Sequence, residues 1–334
     1  MATRLIFMGS DAIALPALEW IVGEGHDTAE LVAVYTQPDR PHGRGQKALP
    51  NAIKTWALAR GLPVLQPERL GAEAFAQFTA LAPDAVLVMA YGHILRQQWI
   101  DAPRFSIWNL HASLLPRYRG ASPIQGAIVN GDDASGVCLM RIVRELDAGP
   151  VLDRESVPIE PCDTGADLEA KLAACCVPLL RRSLSRALVS EPAVVEQEHA
   201  AATFTRRLRK EDGRIDWTAP AAIVARRING LFPWPSVAIE LAGTSVRVGL
   251  AEVEQTAEPM PGVAGEVLPA SGGGVDALRV RAGDGGVVRL LRLQRPGGRM
   301  LPAAEFLRGL PVAAGSVIPS APMPELVAAQ PWKG

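Results

Sequence analysis

Residues 85–90 read Ala-Val-Leu-Val-Met-Ala, an unbroken apolar run. Successive side chains of a strand point to opposite faces, so such a run is apolar on both. It is stable only with a hydrophobic layer on each side, as inside a parallel sheet sandwiched by helices. Similar short runs precede and follow it: Leu5-Ile6-Phe7-Met8 ending at Gly9-Ser10, Leu31 to Thr36, Val64-Leu65, Ser106 to Leu110, and Val137 to Ile142. Helical patterns alternate with them, through Trp20-Ile21-Val22 and over Asn51 to Arg60, with Gly61 placed as a C-cap. A long helix over Gly165–Leu188 closes the series. The alternation predicts an α/β fold: a Rossmann-like open, mostly parallel sheet, forming a first domain over 1–190.

The pattern then changes. Residues 191–205 read as a polar linker. A helix over Pro220–Asn229 follows, then short strands at 236–240, 245–250, 265–267, 277–281 and 287–293, separated by Gly- and Pro-rich turns. This spacing predicts a small C-terminal β-barrel, OB-like, over 206–315. The last stretch is rich in Pro and Ala, and 316–334 is expected to be a flexible tail. A length of 334 residues accommodates two such domains.

Composition narrows the function. The formal charge of -1 excludes a wholly basic nucleic-acid coat but leaves room for local basic patches. No apolar run of about 20 residues is present, so no membrane span is expected, and the opening residues read as a first strand rather than a signal peptide. Cys138, Cys162, Cys175 and Cys176 show no CxxC spacing and read as reduced, buried thiols of a cytoplasmic protein, with no metal site. A monomer is the default expectation.

The stretch Asn109-Leu110-His111-Ala112-Ser113-Leu114-Leu115-Pro116-Arg117-Tyr118-Arg119-Gly120 is the most informative. Asn109 and His111 are two apart at a strand end and share a face. Ligands bind at such ends in open α/β sheets. A carboxamide can donate to a developing oxyanion and an imidazole can exchange protons near neutrality, which suits acyl transfer. Taken alone, an Asn-x-His pair is far more often a hydrogen-bonded strand end than an active site. Asp147, in Leu146-Asp147-Ala148-Gly149-Pro150, is an ordinary turn residue or an acid that orients His111. Ser113 reads as a turn or N-cap hydroxyl, and Leu114-Leu115 as core. Trp217 and Trp234 read as core.

Taken together, 109–116, Arg119-Gly120 and Pro123-Ile124-Gln125 resemble the signature of folate-dependent formyltransferases. Tyr35 to Lys47, Ala90-Tyr91-Gly92, Arg214 to Trp217 and Pro233-Trp234-Pro235 are similar to methionyl-tRNA formyltransferases in particular. The resemblance runs through residues 3–310 and implies a catalytic trio of Asn109, His111 and Asp147. It implies 10-formyltetrahydrofolate as co-substrate, held by a wall of Met89, Ala90, Tyr91 and Gly92 and lined by Ser113, Leu114, Leu115 and Pro116; His93 is a weaker candidate. Its acceptor is initiator methionyl-tRNA. Arg40, Arg44 and Lys47, beside His42 in a glycine-rich loop, would meet RNA, with Arg44 matching the family's key arginine. Arg206, Arg207, Arg209 and Lys210 form a second basic patch, extended by Arg226 and Arg227. Without the resemblance both patches read as solvated surface.

Three positions depart from the family pattern: Glu145 stands where Gly is usual, Ser10-Asp11-Ala12 replaces Thr-Pro-x after Gly9, and Phe232 replaces the Asn before Pro-Trp-Pro. None removes a member of the trio, though a carboxylate at 145 either perturbs the Asp147–His111 pair or faces solvent. Rival readings are a formyltransferase for an amino sugar or glycinamide nucleotide, a formyl-folate hydrolase, and an RNA-binding protein without catalysis.

Overall fold

The computed structural model describes residues 3–42, 47–255, 258–270 and 276–332; at 41, 42 and 47 it describes the main chain. In chain order the elements are β1 (Arg4–Gly9), α1 (Leu15–Val22), β2 (Glu30–Tyr35), β3 (Arg40–His42), β4 (Lys47–Leu49), α2 (Ala52–Leu58), β5 (Val64–Leu65), α3 (Ala72–Ala80), β6 (Ala85–Met89), α4 (Gln97–Ile100), β7 (Ile107–His111), β8 (Arg119–Gly120), α5 (Pro123–Asn130), β9 (Ala134–Arg141), β10 (Val151–Pro158) and α6 (Gly165–Ala187). There follow β11 (Phe204–Thr205), α7 (Ala221–Gly230), β12 (Val237–Leu241), β13 (Thr244–Glu254), β14 (Leu278–Arg281), β15 (Val287–Gln294), β16 (Leu301–Pro302), α8 (Ala303–Gly309) and β17 (Val327–Ala328). No described helix is long and apolar enough to cross a membrane.

The chain divides into two compact units: residues 1–119, 135–157 and 169–202, and residues 120–134, 158–168 and 203–334. The division interleaves the chain where the sequence suggested one cut near 190. The segment carrying α5 and the start of α6 belong to the second unit, so α6 does not simply close the first.

The first unit holds a seven-stranded sheet in the order β10-β9-β7-β6-β1-β2-β5. β5, β2, β1, β6 and β7 run parallel, and β9 is antiparallel to β7. β6 is buried along its whole length, as its apolar run requires. Ile6, Met8, Tyr35, Val86, Val88 and Ile107 pack with Phe78 and Trp99 into the core on one face. The chain moves from β1 to β2 on one side and later to β6 on the other. That reversal opens a crevice at the C-terminal strand ends. There β1 and β6 approach so closely that a Cβ at Gly9 would sit 2.5 Å from the Met89 carbonyl.

The second unit is built on an antiparallel sheet, β12-β13-β15-β14, with β16 also on β15. β12 alternates buried and exposed residues, the mark of a sheet with one covered face. Val224 and Ile228 of α7 and Phe306 of α8 fill the core beneath it. Helices thus cover the apolar face, and among the described residues no β12–β14 pairing closes the expected barrel. Residues 265–267 form isolated bridges to Val317 and Val280 instead of the expected strand.

Two segments, one read as a linker and the other as a flexible tail, are part of the packing. Residues 191–202 return to the first unit, where Val195 bridges Val151 and Gln197 is buried. The tail is ordered: β17 pairs with β11, Ile318 and Leu326 are buried in the second core, and Ser320 Oγ accepts from the Trp217 main-chain N–H at 2.9 Å. Its Pro and Ala residues obscured the few apolar anchors that hold it. Trp217 is core as expected, but Trp234 is 56% exposed. Cys138, Cys175 and Cys176 are buried free thiols, whereas Cys162 is exposed.

Candidate active site

Asn109 and His111 stand at the C-terminal end of β7 and share a face, opposite Met140 and Cys138 of β9. Leu115, Cys138, Met140 and Val151 form the apolar floor around them. The His111 ring is buried between two acceptors. Its Nε2 lies 3.0 Å from the Tyr118 carbonyl and its Nδ1 lies 3.7 Å from Asp147 Oδ2. A neutral ring can donate to one of them; only the imidazolium can donate toward both. Asn109 is half-buried and its side chain makes no hydrogen bond to a described residue.

Asp147 sits in a turn, at φ +48. A non-glycine residue in the left-handed region is uncommon, and Asp is among the types that tolerate it. The turn sets the Asp147 carboxylate on the Nδ1 side of His111. The turn is held from a direction the sequence did not suggest. Gln197 Nε2 donates to the carbonyls of Asp147 (2.9 Å) and Gly149 (2.6 Å), and Gln197 Oε1 accepts from Arg119 at 2.7 Å. Arg119 is itself buried and also meets His199 Nδ1 at 3.0 Å. Burial lowers its guanidinium from its ordinary value, and the Asp147 charge opposes that shift. Gln197 lies in the stretch read as linker; a lone Gln in a polar run carries no signal in a single sequence.

The proposed wall follows β6. Ala90 (φ +49) and Gly92 (φ +82) turn the chain through left-handed conformations. The Ala90 carbonyl accepts from the Ser10 N–H (3.2 Å), and the Tyr91 carbonyl from Gln37 Nε2 (3.1 Å). Met89 and Tyr91 are buried, with the Tyr91 ring edge against His93. Burial lowers the His93 imidazole below its ordinary value, and Arg40 adds to the shift. Ser113 is a turn hydroxyl that donates to the Arg117 carbonyl at 2.6 Å, leaving it no nucleophilic geometry. Leu115 is core, while Leu114 and Pro116 are half-buried. Asp11 caps the short 3-10 turn after β1 by accepting from the Ile13 N–H, so this departure from the family pattern has a local structural use.

Residues 4–182 match the formyl transferase family, and residues 207–311 match the formyl transferase C-terminal domain. The chain belongs to the formyl transferase family. Relatives of similar length include the methionyl-tRNA formyltransferases of Ruegeria pomeroyi and Gluconobacter oxydans, each 42% identical over 94% of this chain and 99% of their own. That of Pseudomonas paraeruginosa is 41% identical with the same coverage. Among solved structures, WlaRD, a sugar 3N-formyl transferase, aligns over 86% of this chain and 97% of its own at 16% identity, with a TM-score of 0.63. HypX from Aquifex aeolicus, in complex with tetrahydrofolic acid, aligns over 92% of this chain and 47% of its own at 18% identity, with a TM-score of 0.58. At these identities the likeness concerns fold.

The basic positions of this formyl transferase separate into distinct groups. Arg40 is exposed and bonds Gln37, and β3 and β4 pair as a hairpin flanking residues 43–46. Arg44 lies outside the described residues, as does the Lys47 side chain. Arg207, Arg209 and Lys210 are exposed. Arg206 is engaged within its own unit, bonded to both Asp212 oxygens (2.8 and 2.7 Å) and to the Glu325 carbonyl (2.9 Å), with its guanidinium over Trp332. Arg226 is exposed, but Arg227 is buried against the Asp212 carbonyl, which removes it from any phosphate-facing surface. Burial lowers its guanidinium to about 10.

Proposed function

We propose that this chain transfers the formyl group of 10-formyltetrahydrofolate to the amino group of methionyl initiator tRNA, producing formylmethionyl-tRNA for translation initiation in the cytoplasm. The observation that carries this reading is likeness to methionyl-tRNA formyltransferases at 41–42% identity over 94% of the chain, through both units. The amino-sugar alternative has fold likeness alone in its support, at 16% identity.

The geometry supports a direct transfer. The folate lies against Met89–Gly92, with its formyl carbon over the end of β7. The amine, freed of its proton, attacks that carbon; the new C–N bond forms and the carbonyl oxygen takes the electron pair. Asn109 donates an N–H to this oxyanion, a contact worth about 2.7–4 kcal/mol of barrier in comparable sites. The His111–Asp147 pair supplies compensating charge and receives the ammonium proton through Asp147, directly or by one water. Collapse of the tetrahedral species breaks the bond to the folate nitrogen, which leaves with a proton. Because His111 Nε2 is on the Tyr118 carbonyl, this reading gives the direct contact to Asn109 and an orienting, electrostatic role to His111. Arg40, Arg44, Lys47, Arg207, Arg209 and Lys210 follow the tRNA backbone.

The deciding assay is formyl transfer from 10-formyltetrahydrofolate to charged initiator tRNA, with charged elongator tRNA, uncharged tRNA and small amines as controls. Preference for a small amine, or folate release without acceptor, overturns the reading.

A further inference from the structure

One side chain joins the root of the basic loop to the wall after β6. Gln37 Oε1 accepts from Arg40 Nη2 at 3.2 Å, while Gln37 Nε2 donates to the Tyr91 carbonyl at 3.1 Å. The main chain of Gln37 is pinned independently: its N–H donates to Ser10 Oγ (2.9 Å), and its carbonyl accepts from Asn51 Nδ2 (3.2 Å) and Gln66 Nε2 (2.7 Å). The position of the residue therefore does not depend on its amide, which is left to make these two links. Only a carboxamide can accept at one atom and donate at its neighbour in this way. The competing partner for Arg40 is occupied, since Asp39 accepts from Lys54 Nζ (2.6 Å) and Gln66 Nε2 (2.9 Å). Arg40 is exposed and spends one of its five N–H donors on Gln37, so the remaining donors of its fork can meet a phosphate.

We infer that Gln37 is a positioning residue that couples the two substrate sites, so that RNA held at Arg40 and folate held at 89–92 favour each other's binding. The inference rests on the proposed assignment of RNA to the 38–47 loop and folate to the 89–92 wall. A folate that fixes the Tyr91 carbonyl orients the Gln37 amide, and the amide holds Arg40 in a preorganised place for the backbone of the acceptor. Each ligand then meets a segment whose ordering cost has already been met, and the effect is reciprocal.

The test measures the affinity of full-length protein for initiator tRNA with and without saturating 5-formyltetrahydrofolate. In the unaltered chain the folate should tighten tRNA binding about fivefold, the factor one ordinary hydrogen bond can transmit. In Gln37→Met the factor should fall to about one, while each ligand alone binds within about twofold of its unaltered affinity. Gln37→Glu keeps an acceptor for Arg40 but has no hydrogen for the Tyr91 carbonyl, and it should lose the factor too, which covers the case of an unfolded Met variant. A merely structural role would weaken both ligands separately and leave the factor intact. An unaltered chain without coupling, or variants that retain it, overturns the inference. Formyl transfer to methionyl-tRNA is measured on the same preparation: its absence sinks the proposed function, whereas intact transfer with an unchanged factor sinks the coupling alone.

Discussion

His111 Nδ1 faces Asp147 Oδ2 across 3.7 Å, and the opposite ring nitrogen faces the Tyr118 carbonyl at 3.0 Å. The imidazole is bonded at Nε2, while Nδ1 faces the carboxylate from beyond hydrogen-bond reach. In the proposed transfer, Asn109, on the same face of β7, is the group assigned to the developing oxyanion.

Asn109→Ala should lower kcat by about 10²–10³ with folate affinity nearly unchanged, because the lost contact forms in the transition state. Steady-state kinetics beside folate titration checks this. A loss confined to KM would assign Asn109 to ground-state binding.

Asp147→Asn should preserve the turn, since Asn tolerates φ +48 as well as Asp does. It removes the charge opposite His111, and turnover should fall by about a hundredfold or more. The expected result is an unchanged melting temperature with depressed kcat; full activity would leave Asp147 as a turn residue only.

Asp212 should contribute to the acid sensitivity of the second unit. Burial alone would raise its carboxyl, but the Arg206 guanidinium and the Arg209 N–H outweigh that and hold it below the usual carboxylate range. The folded state therefore binds fewer protons than the unfolded state, whose value is about 3.9. Its contribution is present above about pH 4 and is lost as pH falls through the lower folded value. Asp212→Asn should flatten that decline. At neutral pH it should cost about 3 kcal/mol, because Arg206, only 14% exposed, loses its counter-charge. Urea unfolding between pH 3 and 7 tests both, and parallel curves for the two proteins would contradict the assignment.

Ending the chain after Gly315 should destabilise the second unit. The deletion takes Ile318 and Leu326 out of the second core and removes the strand paired with β11. Lost apolar burial alone is on the order of 3 kcal/mol or more. An unaltered thermal transition would show that the tail contributes nothing to the fold.

The amino-acid sequence by itself determined the elements and the chemistry's ingredients. Ala85 to Met89 can only be an interior strand, because both its faces are apolar, and Asn109 and His111 share a face because strand side chains repeat every second residue. Those are local consequences of backbone geometry. That Asp147 lies beside His111 was fixed only by tertiary structure, which holds its turn with Gln197. The same applies to Arg206 and Arg227, which look like solvated cations in sequence and prove to be held on Asp212, and to Trp234, which looks like core and is exposed. The physical reason is common to all. A strand's pattern is set by its own residues, whereas the fate of a charge, a turn or a tail depends on which distant group arrives to desolvate or pair it.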